Sequence, residues 1–426
     1  MNTVTLNPST LNGSVSALPS KSEAHRALIA SSLSSSPTVL HGLPAPYSRD
    51  IEATMAVLRS VFSCRFANDG DTLSVTPCGA IPPPANDGAV ADCGESGTTL
   101  RLLLPVAAAL TGARTRIHFT GQGRLPQRPL GELVAVLAGH GTTFSAQSLP
   151  FAVGGKLEAG EYRIPGNVSS QYISGLLFAL PLLEGSSRID LTTAMESAGY
   201  IQMTLQTLSA WGVAVESSGC GWLIPGRQPY NSPGDFTIGG DWSNAALWLA
   251  AGAVNGTVTV CGLNENSTQG DRRIAGILSD FGAEITAAGS EISVTAGSRR
   301  PLKIDMREIP DLLPVLAVLS TSATGPSHFY NAGRLRLKES DRLAATAALI
   351  RDLGGECEEQ PEALTVQNRP LRGGAVHTCN DHRLAMAAAL AATLCSEPVM
   401  LDDADCCRKS YPGLWKDYQH LGGNIA

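Results

Sequence analysis

The stretch LKESDRL, running from Leu337 to Leu343, sets Lys338, Glu339, Asp341 and Arg342 around one serine, just ahead of an apolar pattern of helical period. A helix start is positive because its first N–H groups have no partner, so Glu339 and Asp341 belong there while Lys338 and Arg342 oppose it. Each exposed cation at such a position costs about 0.3–1 kcal/mol. Two readings compete: a solvated first turn with local ion pairs, or cations placed to hold the charge of a ligand. Recurrence favours the second. Lys21 and Arg26 flank or enter a helix start, Arg101 follows ESGTT, Arg124 and Arg128 precede another start, Arg383 lies in a first turn and Lys409 stands just before YPG. Such cations, with free backbone N–H groups, would grip small, multiply charged anions. Taken singly, Asp381 is an ordinary N-cap and His382 a structural histidine.

The elements that must position these residues form a repeat. A unit of roughly 70 residues recurs six times. It opens on a polar helix-start residue, continues as an Ala/Leu-rich helix, a turn and a β-rich strand, then gives a second helix ending in Gly and two further strands. First helices are predicted near Ser22, Ser96, Ser170, Ser243, Asp311 and Asp381, and second helices near Arg49, Pro129, Tyr200, Asp271, Asp341 and Pro412. Gly141, Gly212, Gly282, Gly354 and Gly422 fall where left-handed C-caps would lie. The segments VAVES, GWLIP, AEITAA and ISVTA read as short strands. The fold class is therefore α/β. Six units exceed one core, so two domains of three helix-strand-helix-strand-strand repeats are expected, with a break near PGRQPYNSPGD, Pro225 to Asp235. If the helix starts of both domains face one another, the cations would line a single interdomain cleft.

Bulk properties narrow the chemistry. With 426 residues, 43% hydrophobic and 16% charged against a usual 25% or so, the chain reads as globular. A formal charge of −7 opposes a nucleic-acid or lipid-surface partner, which would need a dominant basic face. The ten cysteines show no C-x-x-C pair and read as reduced thiols. The opening MNTVTLNPSTLNG lacks a basic n-region and an apolar core, so a cytoplasmic location is expected. The longest apolar runs, LLLPVAAAL and LAMAAALAATLC, are about half the roughly 20 residues that a membrane span needs and read as buried core helices. No phosphate-binding P-loop, dinucleotide fingerprint after a strand, H-E-x-x-H helix or G-x-S-x-G elbow occurs, and no His/Cys cluster suggests a metal.

A set of motifs in fixed order resembles the 3-phosphoshikimate 1-carboxyvinyltransferase family, the enolpyruvyl transferases of the shikimate pathway. They are SKSEAHRAL (Ser20–Leu28), GESGTTLRLL (Gly94–Leu103), TGQGRLPQRPL (Thr120–Leu130), SSQYISGLL (Ser169–Leu177), ESAGYIQMT (Glu196–Thr204), GDWSNAALWLAAGAV (Gly240–Val254), QGD (Gln269–Asp271), IPDLLPVLAV (Ile309–Val318), LRLKESDRL (Leu335–Leu343), NDHRLAMA (Asn380–Ala387) and RKSYPG (Arg408–Gly413). SGT or QGD alone is weak; LKESDRL, NDHRxAM and SSQ in this order are specific.

The resemblance implies two lobes with the active site in the cleft between them. Residues 21–236 would form the shikimate 3-phosphate side, and residues 1–20 with 237–426 the phosphoenolpyruvate side. It implies transfer of the enolpyruvyl group of phosphoenolpyruvate to the 5-hydroxyl of shikimate 3-phosphate, on the way to chorismate and the aromatic amino acids, by a monomer without cofactor or metal. Carried over by motif, Lys21, Asp311 and Glu339 would handle protons, with their individual roles open. Lys21, Ser22, Arg26, Ser169, Ser170, Gln171, Ser197, Asp311 and Lys338 would bind shikimate 3-phosphate; Lys21, Gly97, Arg124, Gln171, Arg342, Arg383 and Lys409 would bind phosphoenolpyruvate. Glu95 stands where the family often has Asn, and Leu102 where many members have proline. Two alternatives differ in class or acceptor. The sister enzyme acting on UDP-N-acetylglucosamine typically has Lys-Asn in place of Lys21-Ser22 and a cysteine in the loop occupied here by GQGRLPQRP. A non-catalytic anion-binding protein of the same fold would have lost Lys21, Asp311 or Glu339, and all three are present.

Overall fold

The computed structural model describes residues 3–79, 85–112 and 114–426. Among them are twelve α-helices and six four-stranded sheets. The chain divides into two compact units, each with its own hydrophobic core. The continuous unit, Pro19–Ile238, holds α1 (Lys21–Leu33), α2 (Arg49–Phe62), α3 (Gly97–Leu110), α4 (Gly131–Gly139), α5 (Ser170–Ala179) and α6 (Ala198–Ala210). The split unit joins the residues up to Leu18 to Gly239–Ala426 and holds α7 (Trp242–Asn255), α8 (Ile274–Phe281), α9 (Leu313–Ser320), α10 (Arg342–Asp352), α11 (His382–Ala392) and α12 (Leu414–His420).

Polar caps fix where the helices begin. Ser20, Ser96 and Ser169 accept from the N–H groups of Glu23, Thr99 and Gln171, and Asp241, Asp341 and Asp381 accept from those of Asn244, Ala344 and Arg383. The odd-numbered helices are buried on nearly every face: all eleven residues of α11 and all eight of α9 are buried, which explains their Ala/Leu-rich, weakly amphipathic sequences. Both long apolar runs are such helices, α3 and α11. In α3, Pro105 has no N–H for the carbonyl of Arg101. Gly175 of α5 packs on that same carbonyl; a Cβ there would lie 2.4 Å from the Arg101 oxygen, so only glycine lets α3 and α5 approach. This contact brings the starts of two helices together.

Each sheet has one parallel pair followed by two antiparallel steps. In the first, Asp235–Thr237 runs parallel to Thr38–His41, which pairs antiparallel with Thr72–Thr76, and that with Arg65–Asp69. The other five sheets repeat this order. Each repeat thus has a leading strand beyond those expected from the sequence. These strands are three or four residues long, too short to display the alternation that marks a strand. At the two crossings the leading strands are exchanged: Gly13–Ser16, just before α1, pairs with Thr257–Cys261, and Asp235–Thr237, just before α7, pairs with Thr38–His41. In the last sheet Val4–Asn7 lies between Val399–Leu401 and Asn424–Ile425, with Val4 opposite Leu401 and Leu6 opposite Ile425.

No helix of the described residues is long and apolar enough to cross a membrane, and the ten cysteines are free thiols. The terminal glycines of the second helices, Gly141, Gly212, Gly282, Gly354 and Gly422, all have positive φ, between +74° and +110°. The sixth such helix, α2, ends instead on Ser63, which adopts the same left-handed conformation at φ 57°. A Cβ is penalised there, so Ser63→Gly should stabilise the continuous unit by about 0.5–1 kcal/mol. The urea midpoint of the variant should rise; an equal or lower midpoint would show that the exposed Ser63–Asn86 hydrogen bond outweighs the strain.

Candidate active site

In the split unit the starts of successive helices carry one charged cluster. Asp311 sits in the 3-10 turn Pro310–Leu312 that leads into α9. Lys338, Glu339 and Ser340 lie between the turn Gly333–Leu337 and α10, whose first residue is Arg342. Asp381 caps α11. The Arg342 guanidinium is 2% exposed and donates to all three acids: Nε to Asp381 at 2.9 Å, one terminal nitrogen to Asp311 at 2.6 Å, and the other to Glu339 at 2.6 Å and Asp381 at 3.1 Å. Asp381 is fully buried, whereas Asp311 and Glu339 are about one-fifth exposed, so the latter two form the accessible side of the cluster. Lys338 Nζ reaches Asp311 at 3.2 Å, and Ser340 donates to Asp381 at 2.9 Å.

The electrostatics follow from this packing. Burial alone would push the Asp311 carboxyl up, but Lys338, Arg342 and Arg383 together hold it well below the usual range. Burial lowers Lys338 despite Asp311. For Arg342 burial is outweighed by Asp381, Glu339 and Asp311, so its charge is permanent. Asp271, in the turn Gly270–Arg273 ahead of α8, behaves in the opposite way: burial first and Asp311 second push it up to about 7, against a hydrogen bond from Ser243 and the charge of Arg383. Its Oδ1 is buried without a partner, which suits a carboxyl that carries its proton.

Arg383 enters from the first turn of α11. One terminal nitrogen donates to the Ser243 carbonyl in α7 at 2.6 Å, and its buried Nε meets no partner. Lys409, in the turn Asp405–Lys409, donates to the Asn380 carbonyl at 2.6 Å. Cys379 and Asn380 are both left-handed, at φ 53°, and this uncommon pair turns that carbonyl toward Lys409.

The continuous unit builds its helix starts mainly from hydroxyls and amides. Gln171, in the first turn of α5, donates to Thr98 of α3 at 2.8 Å and accepts from Arg101 at 3.0 Å. Ser169 caps α5 and the adjoining Ser170 is buried. Arg26 is 2% exposed and donates to neutral oxygens: Thr204 at 2.8 Å, the Ser22 carbonyl at 2.8 Å, the Tyr200 carbonyl at 3.0 Å and Ser174 at 3.4 Å. Burial brings it down to about 10. Lys21 pairs with Asp50 of α2 at 2.7 Å. Ser197 precedes α6 in the left-handed conformation. Gly97 opens α3, and a Cβ on it would stand 2.7 Å from the Arg128 guanidinium. Arg124 is exposed on the loop before the turn Leu125–Gln127.

Of the residues singled out by sequence, Asp311, Lys338, Glu339 and Arg342 are therefore in mutual contact, with Arg383 close enough to Asp311 to lower it. Gln171 contacts the first turn of α3, and Arg26 ties α1 to α5 and α6. Lys21 pairs with Asp50, Lys409 with the Asn380 carbonyl, and Arg124 is exposed. Sequence reasoning assigned no role to Asp50, Ser243 or Asp271. QGD was visible as a motif, but only the contact with Ser243, 28 positions away, marks Asp271 as a buried acid.

Residues 6–418 match the family model described as EPSP synthase (3-phosphoshikimate 1-carboxyvinyltransferase). Proteins named 3-phosphoshikimate 1-carboxyvinyltransferase from Clostridium kluyveri and Clostridium acetobutylicum are 40% and 37% identical to the chain, over all of it and 98% of each relative. Among solved structures, EPSP synthase from Acinetobacter baumannii superposes with a TM-score of 0.81 at 20% identity, covering 100% of both chains. The enolpyruvyl transferase NikO from Streptomyces tendae superposes with a TM-score of 0.78 at 16% identity, covering 100% of this chain and 98% of that one; at these identities the likeness is one of fold. With the family model spanning nearly the whole sequence and full-length relatives well above 30% identity, the chain belongs to the EPSP synthase (3-phosphoshikimate 1-carboxyvinyltransferase) family.

Proposed function

We propose that the chain transfers the enolpyruvyl group of phosphoenolpyruvate to the 5-hydroxyl of shikimate 3-phosphate, releasing phosphate, in the route to chorismate and the aromatic amino acids. The observation that carries this reading is the contact of Asp311, Lys338 and Glu339 around Arg342, beside Arg383 with its unpartnered buried Nε. The reaction needs a group to take the hydroxyl proton, another to protonate the methylene carbon, and reversal of both roles in the elimination. Fixed cations stabilise the charge that develops.

Asp311 is ionised but too strongly stabilised to be a good base. Anionic substrates beside Lys338, Arg342 and Arg383 would compete for the same cations and return basicity to it. In this reading Glu339, held by Arg342, and Lys21, held by Asp50, complete the proton-handling set. Arg383, Arg342, Lys409, Gly97, Arg124 and Gln171 hold phosphoenolpyruvate. Arg26, Ser22, Ser169, Ser170, Gln171, Ser197 and Lys338 hold the acceptor. The chain acts as a cytoplasmic monomer on small anions, without nucleic acid, membrane or cofactor. UDP-N-acetylglucosamine is the less favoured acceptor, because Ser22 follows Lys21 and the loop Gly121–Pro129 has no cysteine.

Mixing the protein with shikimate 3-phosphate and phosphoenolpyruvate should release inorganic phosphate, and Asp311→Asn should lower kcat by about 10²–10⁴-fold. Release with UDP-N-acetylglucosamine alone would overturn the reading. Arg383→Ala should raise KM for phosphoenolpyruvate about 10–100-fold, the loss of one or two charged hydrogen bonds, with thermal unfolding nearly unchanged. A variant that unfolds instead would assign Arg383 to the scaffold. Asp271 gives a stability signature. Its folded pKa lies above the ordinary carboxyl value, so its contribution is full below about pH 4 and fades as pH rises through about 7. Asp311, shifted the other way, contributes steadily across this window. The Tm of the wild type relative to Asp271→Asn should therefore fall between pH 5 and 8, and a constant difference would show that Asp271 is already ionised.

A further inference from the structure

His25 belongs to SKSEAHRAL, yet the transfer reaction gives it no role. It is fully buried in α1, and its Nδ1 lies 2.7 Å from Thr54 Oγ1 in α2. Thr54 Oγ1 is 2.7 Å from Thr99 Oγ1 in α3, and Thr99 donates its hydroxyl proton to Ser96 Oγ at 2.8 Å. Ser96 Oγ also accepts from the Thr99 N–H at 3.1 Å. Four side chains on three helices thus form one buried line of contacts.

The direction of this line follows from counting protons. A threonine hydroxyl has one proton. Thr99 gives its proton to Ser96 at 2.8 Å, with the Asp50 carbonyl a longer acceptor at 3.4 Å; since neither acceptor is Thr54, between Thr54 and Thr99 the donor is Thr54. Thr54 must then accept from His25, which places a proton on Nδ1. The buried Nε2 has no partner, as expected of a bare lone pair rather than a stranded N–H. Burial, with Lys21 and Arg26 nearby, holds the imidazole well below its ordinary pKa and so keeps it neutral. At the far end Ser96 accepts twice, so its own O–H remains a donor, one residue before Gly97 and the Arg128 guanidinium that lies on it.

We infer that His25 is a positioning residue: through Thr54 and Thr99 it orders the hydroxyl of Ser96 as a donor to an anionic oxygen bound at the start of α3. The inference rests on the reading that phosphoenolpyruvate binds there. It assigns Ser96 a ligand contact and gives the buried imidazole a reason to hold the Nδ1–H tautomer.

Long-range proton–nitrogen spectra of the chain carrying isotope-labelled histidine should show His25, assigned apart from His140 whose Nδ1 donates to the Val136 carbonyl, protonated at Nδ1 and bare at Nε2. Thr54→Val, close in shape, should raise KM for phosphoenolpyruvate about tenfold, the loss of one ordered hydrogen bond to an anion, while KM for shikimate 3-phosphate stays put. Thr54→Ser should restore it, which a packing role for the methyl group would not allow. Should Thr54→Val fail to fold, Thr99→Val against Thr99→Ser makes the same test. An Nε2–H tautomer at His25, or an unchanged KM in a folded valine variant of an active enzyme, overturns the relay. A wild type without phosphoenolpyruvate turnover sinks the transfer reading and the ligand role of Ser96 together.

Discussion

Everything in the split unit is arranged around one guanidinium. Arg342 opens a helix, where the macrodipole opposes it, and it is almost wholly withdrawn from water. The dipole term is at most a kcal/mol or so. Leaving such a charge without its carboxylate would cost about 3–5 kcal/mol, so pairing decides the local structure. Asp381 carries the main burden: it caps α11, receives Ser340 and meets Arg342 through both oxygens. The starts of α10 and α11 are locked to each other by this buried pair. Asp311 and Glu339 are left on the more open side, where chemistry can use them.

The same repeated skeleton carries a different electrostatic solution in the continuous unit. There the helix starts are laced by Ser96, Thr98, Thr99, Ser174 and Thr204, and the buried cation Arg26 is met by neutral oxygens instead of acids. A guanidinium solvated by dipoles keeps its net charge and can attract an anion, whereas one surrounded by acids mainly orders them. The repeat supplies convergence within each unit; the cap residues decide what the converging ends attract.

Much of the fold was legible because its signals are local. Serine and aspartate caps placed most of the first helices to within a residue or two, and terminal glycines marked the ends of the second helices through the left-handed conformation they alone adopt cheaply. The leading strands were not legible: three residues such as Asp235–Thr237 carry no alternation, and at the two crossings their pairing depends on partners far along the chain. The candidate site divides in the same way. LKESDRL announced Lys338 and Arg342 by charge at an unfavourable address, with Glu339 between them. The raised pKa of Asp271 and the contacts of His25 depend on burial and on residues 28 and 29 positions distant, which no spacing rule encodes.

The strand Val4–Asn7 occupies an interior place in its sheet, flanked by segments from the other end of the chain. On the ribosome it emerges long before its neighbours Val399–Leu401 and Asn424–Ile425. At roughly 5–20 residues per second it waits some ~20–80 s with both edges bare. The continuous unit can meanwhile close its own three sheets, since all their strands lie between Thr38 and Thr237. The strands of the split unit are therefore complete only after all those of the continuous unit have been made.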